Sequence, residues 1–492
     1  MTTNTCPAKD SRLTVIAGDN TTRGLAGTAF TTCLLALLAI LWAGAATQAT
    51  AADKAADRAL EPVRPITRLD KDRRVMPPAP PARSDALSPE MQQTLSEMGP
   101  ALRERQFPLA AVNRIAASGD ARLAWYLFDL ARFAGRDTAI ELANAFEKLT
   151  GAPLPTDAYT AMGDRLLAWD LPAPPGYREL KRELFMLIEP KWEPFFADTA
   201  SAIDWRLVGW GGVFIDDRPD ATQGQTCPRG CIPALDQPKV TSAASGGWYP
   251  DSAIVFGVVI NGQARAYPKN IMEVHEMVND TLGGRQIGIP YCTLCLSAQA
   301  YFTDRVPGFK PLLRTSGLLS RSNKFMYDIS TLSAVDTFTG RAISGPLHKA
   351  GVVLPQATVV TAAWGAWRKA YPQTTIIARD GGVGRTYPLD PLRGRDDIGP
   401  IFPVGDVDPR LPVHEVVLGV TAPDGRALAF PRAAVQLALR AGEPVRLGGV
   451  EVRSAAGGLR AFAGKTELAS HEAFWFAWSQ FSPATGLWTR GH

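Results

Sequence analysis

The sequence is poor in the residues that form most metal and disulfide frameworks. Only six cysteines and five histidines occur in 492 residues, which excludes a disulfide-dense scaffold. Neither sign of charge dominates, since 52 Lys and Arg stand against 48 Asp and Glu, a net charge of +4. The basic residues form no long cluster, so we expect no binding to nucleic acid.

Several short motifs that carry well-understood chemistry are also missing. The chain has no G-x-x-x-x-G-K-[ST], no G-x-G-x-x-G after an expected strand, no H-E-x-x-H and no G-x-S-x-G. These absences argue against nucleotide hydrolases, dinucleotide-dependent oxidoreductases, zinc peptidases of that motif and α/β-hydrolases. The sequence therefore names no substrate.

One long apolar run is present, and it lies near the start of the chain. Residues 33–46 are continuously apolar and follow a stretch with Lys9, Arg12 and Arg23. We predict that residues 1–52 are a signal peptide, with small residues for cleavage near Ala49, or an uncleaved membrane anchor. The protein is then exported, either periplasmic or attached to the outer face of the inner membrane, and this segment is its only expected contact with the membrane.

Two segments precede the main body. Residues 53–87 contain five Pro and Ala residues in a row at 77–81 and read as a Pro-rich, disordered linker. Residues 88–200 read as a helical domain, which begins where Ser88 caps and Pro89 occupies the first turn. The helices either pack as a bundle on the rest of the protein or form a short repeat that binds an envelope protein.

The sequence pattern of residues 201–485 predicts strands and short helices. The segments 255–260 and 263–267 flank Asn261-Gly262, a strong hairpin signal, and a proline, a helix, Gly-Gly and a strand follow. The same order recurs from residue 416 to residue 453. The predicted fold class is therefore α+β, with an N-terminal helical domain followed by a β-rich, internally duplicated α+β domain.

The cysteines outside the leader form two close pairs. Cys227 and Cys231 make one pair, and Cys292 and Cys295, just after the expected strand 286–291, make the other. Exported thiols are oxidised, bound to metal or kept reactive. The pairs therefore fit a site for Zn²⁺ or another transition metal, two structural disulfides, or a redox-active dithiol.

A predicted helix between the hairpin and the cysteine strand carries further candidates. His275, Glu276 and Asp280 lie on this helix, expected over 271–280, and His275 or Glu276 could act as a third metal ligand or a general base. Tyr291 precedes the first cysteine of the strand. Downstream, Tyr327 and Asp328 belong to a polar cluster that is either part of the site or simple turn chemistry.

Several short sequence blocks contain or accompany these residues, and they are Ile232-Pro233-Ala234-Leu235-Asp236-x-Pro238, Gly262-x-Ala264-Arg265-Ala266-Tyr267-Pro268, His275-Glu276-x-x-Asn279-Asp280-Thr281, Pro290-Tyr291-Cys292-x-Leu294-Cys295, Ser316-Gly317 and Met326-Tyr327-Asp328. With them the sequence resembles the domain of unknown function family 3179, found in exported or membrane-attached proteins of bacteria and archaea. The resemblance covers about residues 230–480. Thr293 stands where the family often has proline, and Leu296 where it often has glycine. The family has no assigned activity, so the resemblance implies the domain's extent and the importance of the cysteine strand, and no catalytic residue.

Three hypotheses follow, and whether the protein is an enzyme stays open among them. In the first, Cys292 and Cys295 bind a metal together with Cys227 and Cys231 or with His275. In the second, the protein is a thiol-disulfide oxidoreductase with Cys227 and Cys231 as a relay pair. In the third, it is a non-enzymatic envelope binding or scaffold module with structural disulfides.

Overall fold

The computed structural model describes residues 76–218, 227, 229–396 and 399–491. The predicted leader and most of the predicted linker lie outside these residues. The described chain divides into two compact units, residues 77–184 and residues 185–491. No helix among the described residues has both the length and the apolar character needed to cross a membrane.

The first helix begins at the predicted position. Ser88 caps the first one, because its hydroxyl accepts a hydrogen bond from the Met91 N–H at 3.1 Å. The helices are α1 Pro89–Arg103, α2 Leu109–Ala117, α3 Ala124–Ala131, α4 Arg136–Thr150, α5 Ala158–Trp169, α6 Tyr177–Ile188, α7 Glu193–Ala197, α8 Lys269–His275, α9 Gly345–Lys349, α10 Trp364–Ala370, α11 Arg432–Arg440 and α12 Trp475–Phe481.

The unit of residues 77–184 consists of α1 to α5 and most of α6. Side chains at helical spacing on α3, including Tyr126, Leu127 and Leu130, are buried as the periodicity predicts. A buried ion pair lies in the same unit, where the Lys181 ammonium is 2.8 Å from the Asp129 carboxylate. The Tyr177 hydroxyl donates a second hydrogen bond to that carboxylate, which satisfies the buried charge.

The second unit is rich in strands. In its first half they are β1 Val208–Trp210, β2 Leu235–Asp236, β3 Val240–Ser242, β4 Ile254–Ile260, β5 Gln263–Pro268, β6 Met277–Leu282, β7 Arg285–Cys292, β8 Ser297–Ala298, β9 Ala300–Phe302, β10 Leu313–Ser320, β11 Asn323–Asp328 and β12 Ser333–Asp336. In its second half they are β13 Gln356–Ala357, β14 Val360–Ala363, β15 Thr375–Ile377, β16 Val416–Thr421, β17 Ala427–Pro431, β18 Val445–Leu447, β19 Val450–Ala455, β20 Gly458–Ala463, β21 Thr466–Leu468, β22 Ser470–Phe474 and β23 Gly486–Leu487.

The described strands form five sheets. In spatial order they are β1-β10-β11-β12, β13-β9-β7-β6-β2 with β8 also paired to β7, β14-β4-β5-β15-β3, β22-β16-β17-β23 and β18-β19-β20-β21. The coarse prediction of helices followed by a β-rich part is confirmed. The sheets that hold the two predicted hairpins share an order, because β14-β4-β5-β15 and β22-β16-β17-β23 correspond strand by strand. Within each of these sets of four strands, one neighbouring pair is parallel. It is β5 with β15 in the first set and β17 with β23 in the second.

Each of these two sheets is covered by a short helix that carries two tryptophans. The side chains of Trp364 and Trp367 on α10, and of Trp475 and Trp478 on α12, are buried, as expected for core residues. The Trp367 ring lies against Gly257 of β4, and the Trp478 ring lies against Gly419 of β16, so closely that a methyl group at either glycine would overlap the ring. The indole N–H of Trp367 donates a hydrogen bond to the Thr374 hydroxyl. That of Trp478 donates to the Thr485 hydroxyl.

Candidate functional site

The segment of Cys292 and Cys295 forms a tight reversal between two strands. Strand β7 ends at Cys292, the 3₁₀ turn Thr293–Cys295 follows, and Leu296 adopts a left-handed conformation with φ 53°. The chain then returns as β8, with Ser297 directly opposite Cys292. Both thiols are reduced and buried, with Cys292 4 % exposed and Cys295 0 %.

The two thiols differ in acidity. Burial by itself raises the pKa of Cys292, but the hydrogen bond from Cys295 and the positive charge of Lys324 bring the net pKa below its ordinary value. Burial and the neighbouring Cys292 raise the pKa of Cys295 well above its ordinary value. The Cys295 sulfur also lies 3.4 Å from the Ser322 carbonyl oxygen. Cys292 is therefore the more acidic thiol of the pair.

A buried ion pair lies beside the thiols. Helix α8 ends at His275, and Glu276 then adopts a left-handed conformation with φ 50°. The Glu276 carboxylate accepts from the Thr293 hydroxyl at 3.1 Å and lies 3.5 Å from the Lys324 ammonium. Lys324 also donates to the Glu276 carbonyl oxygen.

Burial opposes the charged form of both partners. It raises the pKa of Glu276 and lowers the pKa of Lys324, and each charge partly offsets the effect on the other. A carboxylate and an ammonium of perturbed acidity thus share one apolar environment with the dithiol. Such an arrangement is typical of sites that move protons.

Apolar side chains from the second half of the unit cover the dithiol. Cys292 and Cys295 belong to one hydrophobic cluster with Phe338, Val404, Val407, Val413, Val417, Ala429, Ala473, Phe474, Trp475, Phe476, Ala477 and Trp478. Gln480 connects the cover to the site, because its amide hydrogen-bonds both the Ser322 hydroxyl and the Val404 carbonyl oxygen. A large partner cannot reach the thiols through this cover without displacing it.

A row of buried polar side chains starts next to Cys292. The Ser297 hydroxyl is buried and has no hydrogen-bond partner among the described residues. Gln299 follows on the same side of the strand, and its amide lies 3.3 Å from one ring nitrogen of His471. Gln356 contacts the other ring nitrogen at 3.0 Å. Burial lowers the pKa of His471 to about 4, so its ring is neutral at pH 7.

His275 does not face the cysteines. One ring nitrogen is 2.7 Å from the Pro233 carbonyl oxygen, and the other is 2.6 Å from the Tyr387 hydroxyl. Burial, together with the charges of Arg385 and Arg218, lowers the pKa of His275 to about 4 despite the hydrogen bond to Pro233. Both nitrogens are thus occupied by groups other than metal or thiol.

The predicted helix over 271–280 is wrong after His275. Asn279 and Asp280 lie in β6, not on α8, because the left-handed turn at Glu276 ends the helix and starts the strand. Asp280 accepts from Arg265 at 2.6 Å and from the Tyr267 hydroxyl at 2.8 Å. Its role here is to hold β5 against β6.

The remaining predicted residues are placed away from the dithiol or face the other way. Tyr291 packs its ring against Phe256 at 4.7 Å between centroids, on the opposite face of β7 from Cys292. Tyr327 donates to the Asp216 carbonyl oxygen. Asp328 accepts from the Leu312 N–H at 2.8 Å, which supports turn chemistry for this cluster.

Cys227 and Cys231 are joined to each other in a disulfide. Two of the four predicted metal-binding sulfurs are therefore bonded to each other, and the four cysteines do not surround one metal in this structure. Among the described residues, no group of three or more His, Cys, Asp or Glu side chains is arranged to hold a metal ion.

Sequence reasoning noted Ser322 and Lys324 only as members of a polar cluster and did not connect them, or Ser297, with the dithiol. Lys324 and Ser322 belong to the β10–β11 region, in a polar string that also fits turn chemistry. Ser297 lies only two residues after Cys295, and its spacing carries no signal until the register of β7 and β8 is known. The sequence gives one clue to Lys324, which is a charged residue within a region that otherwise predicts strands.

Residues 229–457 match the model of the family described as "Protein of unknown function (DUF3179)". This match confirms the resemblance found in the sequence, and it spans the hairpin β4–β5, the cysteine strand β7 and most of the second half of the unit. Neither the curated proteins nor the solved structures gave a match to the chain.

Proposed function

We propose that this domain carries a dithiol–disulfide redox centre, in which Cys292 attacks and Cys295 resolves. The observation that supports it most directly is that two reduced thiols lie in one buried β7–β8 reversal beside the Lys324–Glu276 ion pair, and the downward pKa shift of Cys292 agrees with it. A two-step exchange needs one thiol that ionises readily and one that keeps its proton until the second step.

In the first step, the Cys292 thiolate attacks the electrophilic atom X of an oxidant X–Y. The S–X bond forms, the X–Y bond breaks, and Y leaves with the electron pair and takes up the proton that Cys292 released. In the second step, Cys295 loses its proton and attacks the Cys292 sulfur, so the disulfide forms and X leaves with the electron pair. The site gives up two electrons and two protons in total.

Glu276 is the residue we assign to the proton of Cys295. Burial raises the pKa of Glu276, which brings a carboxylate closer to the acidity of a thiol and suits it to proton exchange. Lys324 stabilises the negative charge that passes between the carboxylate and the sulfur atoms. Thr293, by donating to Glu276, fixes the direction of the carboxylate.

Peptide mapping with two mass-labelled alkylating agents, one before and one after reduction, tests this proposal. We expect Cys292 and Cys295 to label without reduction in denaturant, and Cys227 and Cys231 only after reduction. Mild oxidation of the native protein should convert Cys292 and Cys295 into a disulfide reversibly, and Cys292→Ser should abolish that conversion. Stoichiometric bound metal that is lost in Cys292→Ser would instead support the metal hypothesis and contradict the redox centre.

A second test concerns the charge beside Cys292. We expect Lys324→Met to move the midpoint of Cys292 alkylation to higher pH by about one unit, because a nearby positive charge favours the thiolate. Glu276→Gln should move the midpoint to lower pH, because the carboxylate opposes that thiolate. Lys310→Met, at an exposed position outside the site, serves as control. Equal midpoints in all four proteins would show that the ion pair does not set the acidity of Cys292.

We further infer that residues 201–485 arose by internal duplication. The strand order shared by the β4–β5 and β16–β17 sheets, together with the repeated contact of a strand glycine with a helix tryptophan, supports this inference. Only the first copy has the longer β7–β8 reversal with its cysteines. The second copy instead supplies the apolar cover of the dithiol.

Export to an oxidising compartment is also a proposal. It is supported by the disulfide between Cys227 and Cys231, since such bonds persist mainly outside the cytosol. Attachment through residues 1–52 and a contact of the helical unit with an envelope protein stay predictions. Fractionation of cells that produce the full chain would test the first of them.

A further inference from the structure

We propose that the oxidant of this dithiol is a small hydroperoxide, and that Ser297 binds it beside Cys292. This inference rests on the proposed redox centre and assigns its substrate class. Three observations support it, namely the access to the thiols, the hydroxyl opposite Cys292 and the Lys324 ammonium near Cys292.

Access limits the size of the oxidant. Cys292 is 4 % exposed and Cys295 is fully buried, and apolar side chains of residues 404–478 cover both. A disulfide in another protein would have to place its sulfur within bonding distance of Cys292, which this cover prevents. A molecule with a few heavy atoms needs only small side-chain movements.

The hydroxyl of Ser297 is suited to such a molecule. Ser297 lies directly opposite Cys292 in the antiparallel β7–β8 pair, so the two side chains share one face with their Cβ atoms about 5 Å apart. The hydroxyl is buried and has no partner among the described residues, and such an unsatisfied group is costly unless something binds it. One hydroxyl can donate one hydrogen bond and accept others, which matches the O–OH group of a hydroperoxide.

The hydroxyls of Thr293 and Ser322, which border the thiols, already have partners. The Thr293 hydroxyl donates to Glu276 at 3.1 Å, and Ser322 donates to Gln480 at 3.3 Å. Ser297 differs from these two residues because its hydroxyl has no partner among the described residues. Lys324 supplies a charged donor for the oxygen that leaves with negative charge.

The reaction balances with the hydroperoxide as the named oxidant. The Cys292 thiolate attacks the terminal oxygen of R–O–OH, the S–O bond forms, and the O–O bond breaks with its electron pair going to the alkoxide. The alkoxide takes up the proton that Cys292 released and leaves as the alcohol, or as water for hydrogen peroxide. Cys295 then attacks the Cys292 sulfur, the S–O bond breaks, and the hydroxyl leaves with the proton of Cys295 as water.

The test is single-turnover oxidation of the fully reduced full-length protein by hydrogen peroxide, with quenched samples mapped by mass spectrometry. We expect Ser297→Ala to slow formation of the Cys292–Cys295 disulfide at least about tenfold. Ser454→Ala, an exposed serine on β19, should react like the wild type. In Cys295→Ser, the sulfenic acid on Cys292 should persist and be trapped by dimedone.

The outcomes separate the two proposals. If a small soluble disulfide oxidises the dithiol but hydrogen peroxide reacts no faster than with free cysteine, the hydroperoxide inference is overturned and the redox centre stands. If no oxidant forms the disulfide, the redox centre itself fails. Equal rates for wild type and Ser297→Ala would remove the assignment of Ser297. Folding does not confound this variant, because removing a buried hydroxyl without a partner leaves no unsatisfied group behind.

Discussion

Gly257→Ala and Gly419→Ala are each expected to lower the free energy of unfolding by about 3 kcal/mol, the upper end for overpacking a well-packed core. At Gly257 the new methyl group would overlap the six-membered ring of Trp367, and at Gly419 that of Trp478. The neighbouring atoms belong to rigid indole rings, each of which is held by a hydrogen bond from its N–H to a threonine. The ring therefore cannot turn away without breaking a second interaction.

Urea unfolding of each variant, followed by tryptophan fluorescence, measures this effect. Gly247→Ala is the control, because Gly247 has an ordinary φ and a methyl group there would meet no other atom within 4 Å. The double variant should show nearly the sum of the single effects, since the two glycines contact different tryptophans. A loss below about 1 kcal/mol in both variants would contradict the tight packing and would weaken the inference of duplication.

Acidification should destabilise the protein through His471 by about 3 kcal/mol between pH 7 and pH 4. The pKa of His471 is lowered to about 4 in the folded chain by burial, whereas an unfolded histidine titrates near 6.5. The folded state therefore binds fewer protons than the unfolded state between these values. The stability associated with the neutral ring is present above pH 6.5 and is lost as the pH falls toward 4.

Comparison of the wild type with His471→Gln isolates this contribution. Unfolding at pH 7 and at pH 4.5 should show a smaller loss of stability on acidification in the variant. Glu273 changes the stability in the opposite direction, because burial raises its pKa to about 7. Its contribution to the free energy of unfolding falls as the pH rises from 4.5 to 7. That contribution is common to both proteins and cancels in the difference. Parallel pH profiles would show that the His471 ring takes up protons in the folded state.

The fold was predictable from sequence wherever the signal is local. Asn261 and Gly262 adopt the left-handed conformations, with φ 49° and 78°, that a two-residue hairpin turn needs, and Ser88 caps α1 as its chemistry predicts. The end of α8 was not predictable. Glu276 has no intrinsic preference for a left-handed turn, and Lys324, 48 residues later in the chain, binds its carbonyl oxygen there.

In the site, too, only the residues with a local sequence signal were predictable. Cys292 and Cys295 were predictable, because paired cysteines after an expected strand are a chemical signal by themselves. Lys324 and the cover around Trp475 were not, since their proximity depends on the order of strands in different sheets. The direction of the His275 ring was not predictable either, because it is set by Pro233 and Tyr387, which no periodicity relates to it.

The β4–β5 and β16–β17 hairpins gain their outer partners late in the chain, which has a consequence for the order of folding. Strand β5 acquires its partner β15 only after about 110 residues of chain, and β16 and β17 gain β22 and β23 only from residues 470–487. During synthesis each hairpin therefore has an unpaired edge until its later partner strand is made. Unpaired edges associate readily with other strands. A fragment cut at residue 457, where the family match ends, would keep the β16–β17 edges open permanently and should aggregate. The dithiol would also lose part of its cover in that fragment, so chain completion and protection of the thiols are achieved by the same last strands.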